Sequence, residues 1–164
     1  LALAYARGQR RGIGIAINGK DRQLFRRELA RFDMGLEDRM KTKVGLLSGG
    51  QRQAVTLLMG TIVPPKLLLL DEQTAALDPA AAQKVLGITR DIVQREQLTT
   101  LMITHNIQSA LSMGTRTIMM NAGRIVLDIS GEQRAQMTVP RLLELYNSAA
   151  GAALDTDRVL LQQT

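Results

Sequence analysis

The chain has 164 residues, 45% of them hydrophobic and 22% charged, which is a globular composition of a length that suits one domain. The absence of cysteine excludes a disulfide framework, a thiolate metal site and a cysteine nucleophile, and a single histidine leaves little scope for a histidine-rich metal site. The net charge of +6 lies in residues 1–46, with 11 Lys and Arg against 5 Asp and Glu, while residues 47–164 hold 10 of each sign.

The basic first segment is open to several interpretations. It is typical of a solvated helical surface, and it also occurs where a protein meets nucleic acid, an anionic membrane or an acidic partner. Aromatic residues do not interleave with its arginines, which argues against a stacking platform for single strands. No apolar run approaches the roughly 20 residues of a membrane-spanning helix, and residues 1–6 lack the features of a signal peptide. We therefore expect a cytoplasmic location.

Residues 1–46 predict a small helical region. Apolar residues such as Phe25 and Leu29 recur at helical spacing, with arginines on the opposite face. The glycine-rich residues 12–19 predict a loop, and a second break is expected near Gly35.

The following segment predicts a helix and then a strand. A glycine-rich turn leads into a helix over residues 51–59, and the prolines from Pro64 onward end it. The apolar run 67–70 predicts a short strand of the kind that is buried on both faces of a parallel sheet.

A second helix and strand repeat this order. Asp78 as N-cap and Pro79 at the first helical position predict a helix start. A strand over residues 99–104 follows, then His105 and a short helix that ends near Gly114.

The last predicted elements are two strands and a helix. The strands, 117–120 and 124–128, flank a turn, and the helix begins at Thr138, before an Ala- and Gly-rich tail. Because strands joined by a helix must run in the same direction, this order predicts an α/β fold with parallel pairing.

Polar residues follow the two predicted parallel strands. Asp71 and Glu72 end the first strand and His105 ends the second, so the topology brings two acids and the only histidine to one edge of the sheet. An aspartate there can hold Mg²⁺, a glutamate can accept a proton from an attacking water, and a histidine can contact a transferring phosphate. Taken singly, the acid pair is also explained as an ordinary helix cap, and the histidine as a helix-start residue.

The turn Ser48-Gly49-Gly50 before a helix is a candidate anion seat. Glycines allow a phosphate to approach the backbone, and a helix N-terminus offers free N–H groups and positive dipole. A plain N-cap with flexible glycines explains the same three residues.

Four motifs resemble those of the ATP-binding cassette (ABC) ATPases, in the right order and at suitable separations. Residues 47–51 read Leu-Ser-Gly-Gly-Gln, which is identical to the family's signature motif. Residues 67–72 resemble its Walker B strand with the catalytic glutamate, residues 75–78 resemble its D-loop, and His105 resembles its switch histidine. The resemblance implies an α/β, P-loop NTPase-like ABC ATPase core, with a parallel sheet and flanking helices, joined to part of the helical subdomain.

The resemblance also implies roles for individual residues. In this family two nucleotide-binding domains enclose two ATP molecules head to tail. The signature residues would contact ATP held mainly by the opposite protomer: Ser48, Gly49, Gly50 and Gln51. Asp71 would serve Mg²⁺, Glu72 would be the general base, and His105 would contact the γ-phosphate. Asp78 would help to couple the two sites, which its N-cap role allows.

The sequence also departs from the family pattern. No Gly-x-x-x-x-Gly-Lys-Ser/Thr loop occurs in the 164 residues, and Lys20 is followed by aspartate. Gln73 stands where the family more often has histidine or proline. We therefore expect a C-terminal portion of such an ATPase, which alone binds ATP poorly and is inactive. We also expect an unpaired sheet edge with exposed apolar surface.

On this resemblance the chain divides into three parts. Residues 1–46 correspond to the end of the helical subdomain, residues 47–148 to the C-terminal part of the ATPase core, and residues 149–164 to a tail, which we expect to be partly disordered.

The implied function is that of an ATP-binding and ATP-hydrolysing subunit that powers solute transport, with import expected over export. Its implied cofactors are ATP and Mg²⁺. Its implied partners are a second ATPase protomer, a transmembrane permease and, for an importer, a solute-binding protein, at the cytoplasmic face of the inner membrane. No specific nucleic acid is expected. Two alternatives stay open: a non-transport ABC ATPase that acts on nucleic acid or ribosomes, and a non-catalytic remnant of the family.

Overall fold

The computed structural model describes residues 1–7 and 18–149. Most of the predicted loop over residues 12–19 lies outside these ranges, as does the predicted tail beyond residue 149. The chain forms two compact units that divide between Ile103 and Thr104. Within the described ranges, no helix combines the length and the apolar character needed to cross a membrane.

The first unit contains four helices and two strands among its described residues. They are α1 (Ala2–Ala6), α2 (Gly19–Ala30), α3 (Gly49–Thr61), β1 (Leu68–Asp71), α4 (Pro79–Arg95) and β2 (Thr100–Ile103), with a 3-10 turn at Val44–Leu46 before α3.

Side-chain caps set where the helices of the first unit begin. Asn18 accepts a hydrogen bond from the Asp21 amide, and Asp21 bonds back to the Asn18 amide, so α2 begins at Gly19. Asp78 caps α4 with Pro79 in its first turn, which confirms the predicted start.

The strands β1 and β2 pair in parallel, as predicted. In this register Leu69 lies opposite Leu101, and Asp71 lies opposite Ile103. The prediction that the apolar strand is buried on both faces is wrong, because Leu69 is 64% exposed and Leu101 is 52% exposed. The helices of this unit cover one face of the pair, where Leu68 is buried. The apolar surface expected from the sequence is therefore the other face.

The core of the first unit draws on both sides of residue 46. Phe32 and Leu36 belong to the same buried cluster as Ala54 on α3 and Ile92 on α4. The predicted helical segment and the start of the predicted ATPase core thus share one apolar interior, and the subdomain boundary at residue 46 stays a prediction.

The second unit, described as far as residue 149, is built around a hairpin. Its elements are α5 (Ile107–Ser112), β3 (Arg116–Asn121), β4 (Arg124–Ser130), α6 (Gly131–Ala135) and α7, which is helical over 139–149.

The strands β3 and β4 form an antiparallel pair of their own rather than joining a parallel sheet. The two-residue connection dictates this direction, because parallel strands need a longer crossover. Ala122 and Gly123 both have positive φ, at 47° and 77°, as a type I′ hairpin turn requires. Across the hairpin, Arg116 binds Asp128 through two hydrogen bonds and lowers the pKa of that carboxyl group.

Arg134 joins the remaining pieces of the second unit. Its guanidinium donates to the carbonyl oxygens of Leu111, at 2.7 Å, and Met113 at the end of α5. It also donates to Thr117 Oγ1 on β3, at 2.9 Å. One cation therefore satisfies the last carbonyls of a short helix and ties α6 to the hairpin.

We predict that the exposed sheet face makes this chain self-associate. Replacing Leu69 and Leu101 together by threonine removes the cross-strand apolar pair and keeps a residue suited to a strand. Sedimentation velocity across a concentration series should show less association for this variant. Leu3→Thr, which removes an exposed leucine from α1, is the matched control and should behave like the parent chain. A parent chain that stays monomeric at all concentrations contradicts the prediction.

Candidate functional site

The carboxyl end of β1 presents two acids. Asp71 is the last strand residue and is exposed, and Glu72 follows it, half-buried. The Glu72 amide donates to the carbonyl oxygen of Ile103, at 3.0 Å, which extends the β1–β2 ladder by one bond. The predicted placement of both acids at this edge of the sheet is confirmed.

Glu72 has a left-handed backbone conformation, with φ at 47°. For a residue other than glycine this conformation costs on the order of 1–3 kcal/mol, and it persists where the surrounding structure holds it. The chain therefore turns sharply away from the sheet at the residue predicted to be the general base.

Local bonds hold the loop between Glu72 and α4. The Ala75 amide donates to the Glu72 carbonyl, and the Leu77 amide donates to the Thr74 carbonyl. The loop ends at Asp78, whose Oδ1 accepts from the Ala81 amide at 2.9 Å. Asp78, in the predicted D-loop, thus acts as the N-cap of α4, and the residue is exposed.

The glycine-rich turn forms a capping box at the start of α3. The backbone N–H of Gln51 donates to Ser48 Oγ at 3.2 Å, and the backbone N–H of Ser48 donates to Gln51 Oε1 at 3.1 Å. Gln51 Nε2 also donates to the carbonyl oxygen of Met34, at 2.9 Å. Both polar atoms of the Gln51 side-chain amide therefore form hydrogen bonds within the chain. The Ser48 hydroxyl acts as an acceptor in the capping box, so its proton can be donated to a ligand. The predicted anion seat lies at the N-terminus of this 13-residue helix, and its role in binding stays a prediction.

The signature turn packs closely on the loop and the helix that follow β1. A Cβ added at Gly49 would lie 2.9 Å from Leu77 Cδ2, and one added at Gly50 would lie 3.2 Å from Ala81 Cβ. At Gly49 the Leu77 side chain would have to move to make room for a Cβ, and at Gly50 the neighbouring Ala81 would have to shift by a few tenths of an ångström; neither glycine has a positive φ. The start of α3 and the predicted D-loop are therefore in direct contact within the first unit.

His105 belongs to the second unit, where it is exposed. It lies between Thr104, whose Oγ1 accepts from the Asn106 amide, and Asn106, whose Oδ1 caps α5 through the Ser109 amide at 2.8 Å. It follows Ile103, the end of β2, by two residues, because the strand ends one residue before the predicted residue 104. Its convergence with the acids of the first unit stays a prediction.

The described residues contain no cluster of three histidine or acidic side chains suited to a metal ion. Mg²⁺ that binds with a nucleotide takes one or two carboxylates, the phosphates and water, and does not need such a cage. The exposed carboxylate of Asp71 fits that requirement.

The basic surface of the first unit is partly neutralised by ion pairs. Arg26 binds Asp38 at 2.5 Å, and Arg31 binds Glu28 at 2.5 Å. The side chain of Glu28 is mostly buried, and the other three side chains are well exposed. Such pairs favour the solvated-surface interpretation over an array of arginines held ready for phosphates.

Two contacts of the site were not predicted from the sequence. One is the bond from Gln51 to Met34, and the other joins Gln73, in the loop after Glu72, to Thr89 on α4. The only sequence signal for the second was the departure of Gln73 from the pattern of the family that the motifs resemble.

Comparison with known proteins links these features to one family. A family model described as ABC transporter matches residues 6–75. A tyrosine transport ATP-binding protein of Clostridioides difficile (strain R20291) is 44% identical over 116 residues, 71% of this chain and 46% of that protein. The thiamine import ATP-binding protein ThiQ of Salmonella typhimurium (strain LT2) is 39% identical over 112 residues, 68% of this chain and 47% of that protein. The chain thus spans less than half the length of these two relatives.

Solved structures share the fold. An ABC transporter described as of metal-chelate type, in an inward-facing conformation, is 27% identical and has a TM-score of 0.69, covering 89% of this chain and 56% of that one. The dimeric structure of MJ0796, a bacterial ABC transporter cassette, is 26% identical and has a TM-score of 0.60, covering 79% of this chain and 53% of that one.

We predict different effects on stability for two glycine-to-alanine changes. Gly87→Ala, at a position of α4 with nothing within 4 Å of the new Cβ, should stabilise the chain by about 0.5–1 kcal/mol through helix propensity. Gly50→Ala gains the same propensity but meets Ala81 Cβ at 3.2 Å, so overpacking of about 1–3 kcal/mol should make it less stable than the first variant. Urea unfolding measures both, and equal midpoints for the two variants would contradict the contact between α3 and α4.

Proposed function

The chain belongs to the ATP-binding proteins of ABC transporters, and we propose that it forms the part of the ATPase that hydrolyses ATP to power import of a solute. The observation that carries this proposal is the arrangement at the end of β1. There the exposed carboxylate of Asp71 is followed by Glu72, held in a left-handed turn by the end of β2.

We propose that Glu72 is the general base. A carboxylate at this point can accept the proton of a water that attacks the γ-phosphate, a contribution of typically about 10²- to 10⁴-fold. Asp71 is proposed to hold Mg²⁺, which neutralises charge on the phosphates when it is bound. His105 is proposed to contact the γ-phosphate from the loop after β2.

The signature residues are proposed to meet the nucleotide of a second protomer. The N-terminus of α3 offers amide groups and a positive dipole, and the Ser48 hydroxyl can donate to a phosphate oxygen while its oxygen stays in the cap. Gly49 is half-buried and Gly50 is buried against Ala81 of α4, so both are proposed to contact the nucleotide through their backbone amides. Gln51 would reach the nucleotide only by exchanging one of its internal hydrogen bonds. The dimeric structure of the cassette MJ0796 supports a pair of protomers, which we propose to be arranged head to tail.

Asp78 is proposed to help couple the two sites of the pair. Its side chain caps α4, and Leu77, its neighbour, touches Gly49 at the start of α3. A movement at either element would therefore be felt at the other.

Import is the direction proposed from the relatives. The protein ThiQ is a thiamine import ATP-binding protein, and the match to the inward-facing structure is to an ABC transporter. The proposed partners are accordingly a second ATPase protomer, a transmembrane permease and a solute-binding protein, with the ATPase at the cytoplasmic face of the inner membrane.

A chimera tests the catalytic role. This chain replaces the corresponding part of ThiQ, and hydrolysis of Mg-ATP is measured as phosphate release. We expect turnover in the parent chimera and a loss of about 10²- to 10⁴-fold in kcat for Glu72→Gln, with ATP binding retained. Glu132→Gln, at an exposed position of α6, is the matched control. Full activity of the Glu72 variant would overturn the assignment, and a parent chimera that binds ATP without turnover would favour a non-catalytic remnant.

A calorimetric titration tests the chain by itself. The 164 residues contain no phosphate-binding loop with its lysine, so we expect no detectable binding of Mg-ATP up to millimolar concentration at low salt. Micromolar affinity would reveal a nucleotide site outside the four motifs and would require new roles for Ser48 and Glu72.

A further inference from the structure

We propose that Gln73 is a positioning residue for Glu72: its side-chain amide fastens the turn after β1 to the buried hydroxyl of Thr89 and so fixes the direction of the Glu72 carboxylate. This inference rests on the proposed function, in which Glu72 is the general base. Gln73 itself is assigned no contact with the nucleotide.

The turn at Glu72 needs an external anchor. With φ at 47°, the residue occupies a region that side-chain-bearing residues rarely adopt, and neighbouring contacts must hold it there. On its N-terminal side the anchor is the bond from its amide to Ile103. On its C-terminal side the next residue, Gln73, forms a side-chain hydrogen bond that connects the loop to Thr89 on α4.

Thr89 is a well-defined receptor for that bond. It is 1% exposed on α4, and its hydroxyl lies 2.8 Å from the Val85 carbonyl oxygen one turn earlier, to which it donates. The Thr89 hydroxyl has one proton, and the Val85 carbonyl oxygen is a nearer acceptor for it than Gln73 Oε1, which lies 3.5 Å away; Thr89 Oγ1 therefore accepts from Gln73 Nε2 at 3.2 Å. The partner atom is therefore rigid, because it is held by the packed core rather than by the loop.

The contact acts on the acid through the backbone. Gln73 follows Glu72 directly, so an anchor on its side chain restricts the peptide unit that joins them. Misplacement of a catalytic group by about 1 Å can cost about 10²-fold in rate. Because the Gln73 side chain is a neutral amide, it provides this restraint without adding a charge next to the Glu72 carboxylate.

The first measurement uses the full chain and does not depend on ATP. Hydrogen exchange of the Glu72 amide is compared for the parent chain, Gln73→Ala, Thr89→Val and Thr89→Ser. We expect exchange about fivefold to tenfold faster in Gln73→Ala and Thr89→Val, and near-parent exchange in Thr89→Ser, which keeps the hydroxyl. Gln83→Ala, an exposed glutamine on α4, is the control for loss of a glutamine side chain.

The second measurement is the rate of ATP hydrolysis by the ThiQ chimera, which reports on the position of Glu72. We expect Gln73→Ala to lower kcat by about 10- to 100-fold while the KM for ATP changes by less than about twofold, because the base moves and the nucleotide contacts stay. Thr89→Val should lower kcat in the same way, whereas Thr89→Ser, which keeps the hydroxyl, should have a kcat near that of the parent chimera.

The outcomes separate the two proposals. Unchanged Glu72 exchange in Gln73→Ala, or equal behaviour of the serine and valine variants, overturns the positioning role even if the chimera hydrolyses ATP. A chimera in which Glu72→Gln stays active overturns the base assignment. Faster exchange of the Glu72 amide together with a lower kcat in Gln73→Ala and Thr89→Val, with both quantities near the parent values in Thr89→Ser, supports both proposals.

Discussion

The first unit is organised by the parallel pairing of two four-residue strands. This pairing sets the direction of the chain at Asp71 and at Ile103, and the Glu72 amide adds the final bond of the ladder. The same bond begins the loop that leads to Asp78, so the end of the sheet and the start of the candidate site are one structural feature. If the strands slipped by one residue, the Asp71 side chain would move to the opposite face of the sheet.

The loop after β1 is held by contacts with two helices. Gln73 reaches Thr89 on α4, and Leu77 lies against Gly49 at the N-terminus of α3. Close packing of Gly50, in the first turn of α3, on Ala81 of α4 completes a small interlocked group. Residues that the motifs assign to separate tasks, the signature turn and the D-loop, thus share van der Waals contacts, and a displacement of one has a direct mechanical path to the other.

Features that depend on nearest neighbours in sequence could be predicted. The start of α4 followed from Asp78 and Pro79, and the parallel strands followed from the helix that joins them. The exposure of Leu69 could not be predicted from an apolar run, because periodicity does not tell which faces a strand has covered. The bond from Gln73 to Thr89 spans 16 residues and depends on how α4 lies on the sheet. The position of the candidate acids at the end of β1 could therefore be predicted from the order of strands and helices. The contact that we propose to orient Glu72 could be found only from the packing of α4.

The uncovered face of β1 and β2 also has a thermodynamic consequence. Leu69, Leu101 and Ile103 are already more than half hydrated in the folded chain. Unfolding therefore adds less new apolar hydration than it would for a sheet covered on both faces. The heat-capacity change of unfolding, which grows with newly exposed apolar area, is lowered accordingly. We therefore expect the stability of this chain to vary less steeply with temperature than it would with the same sheet covered on both faces.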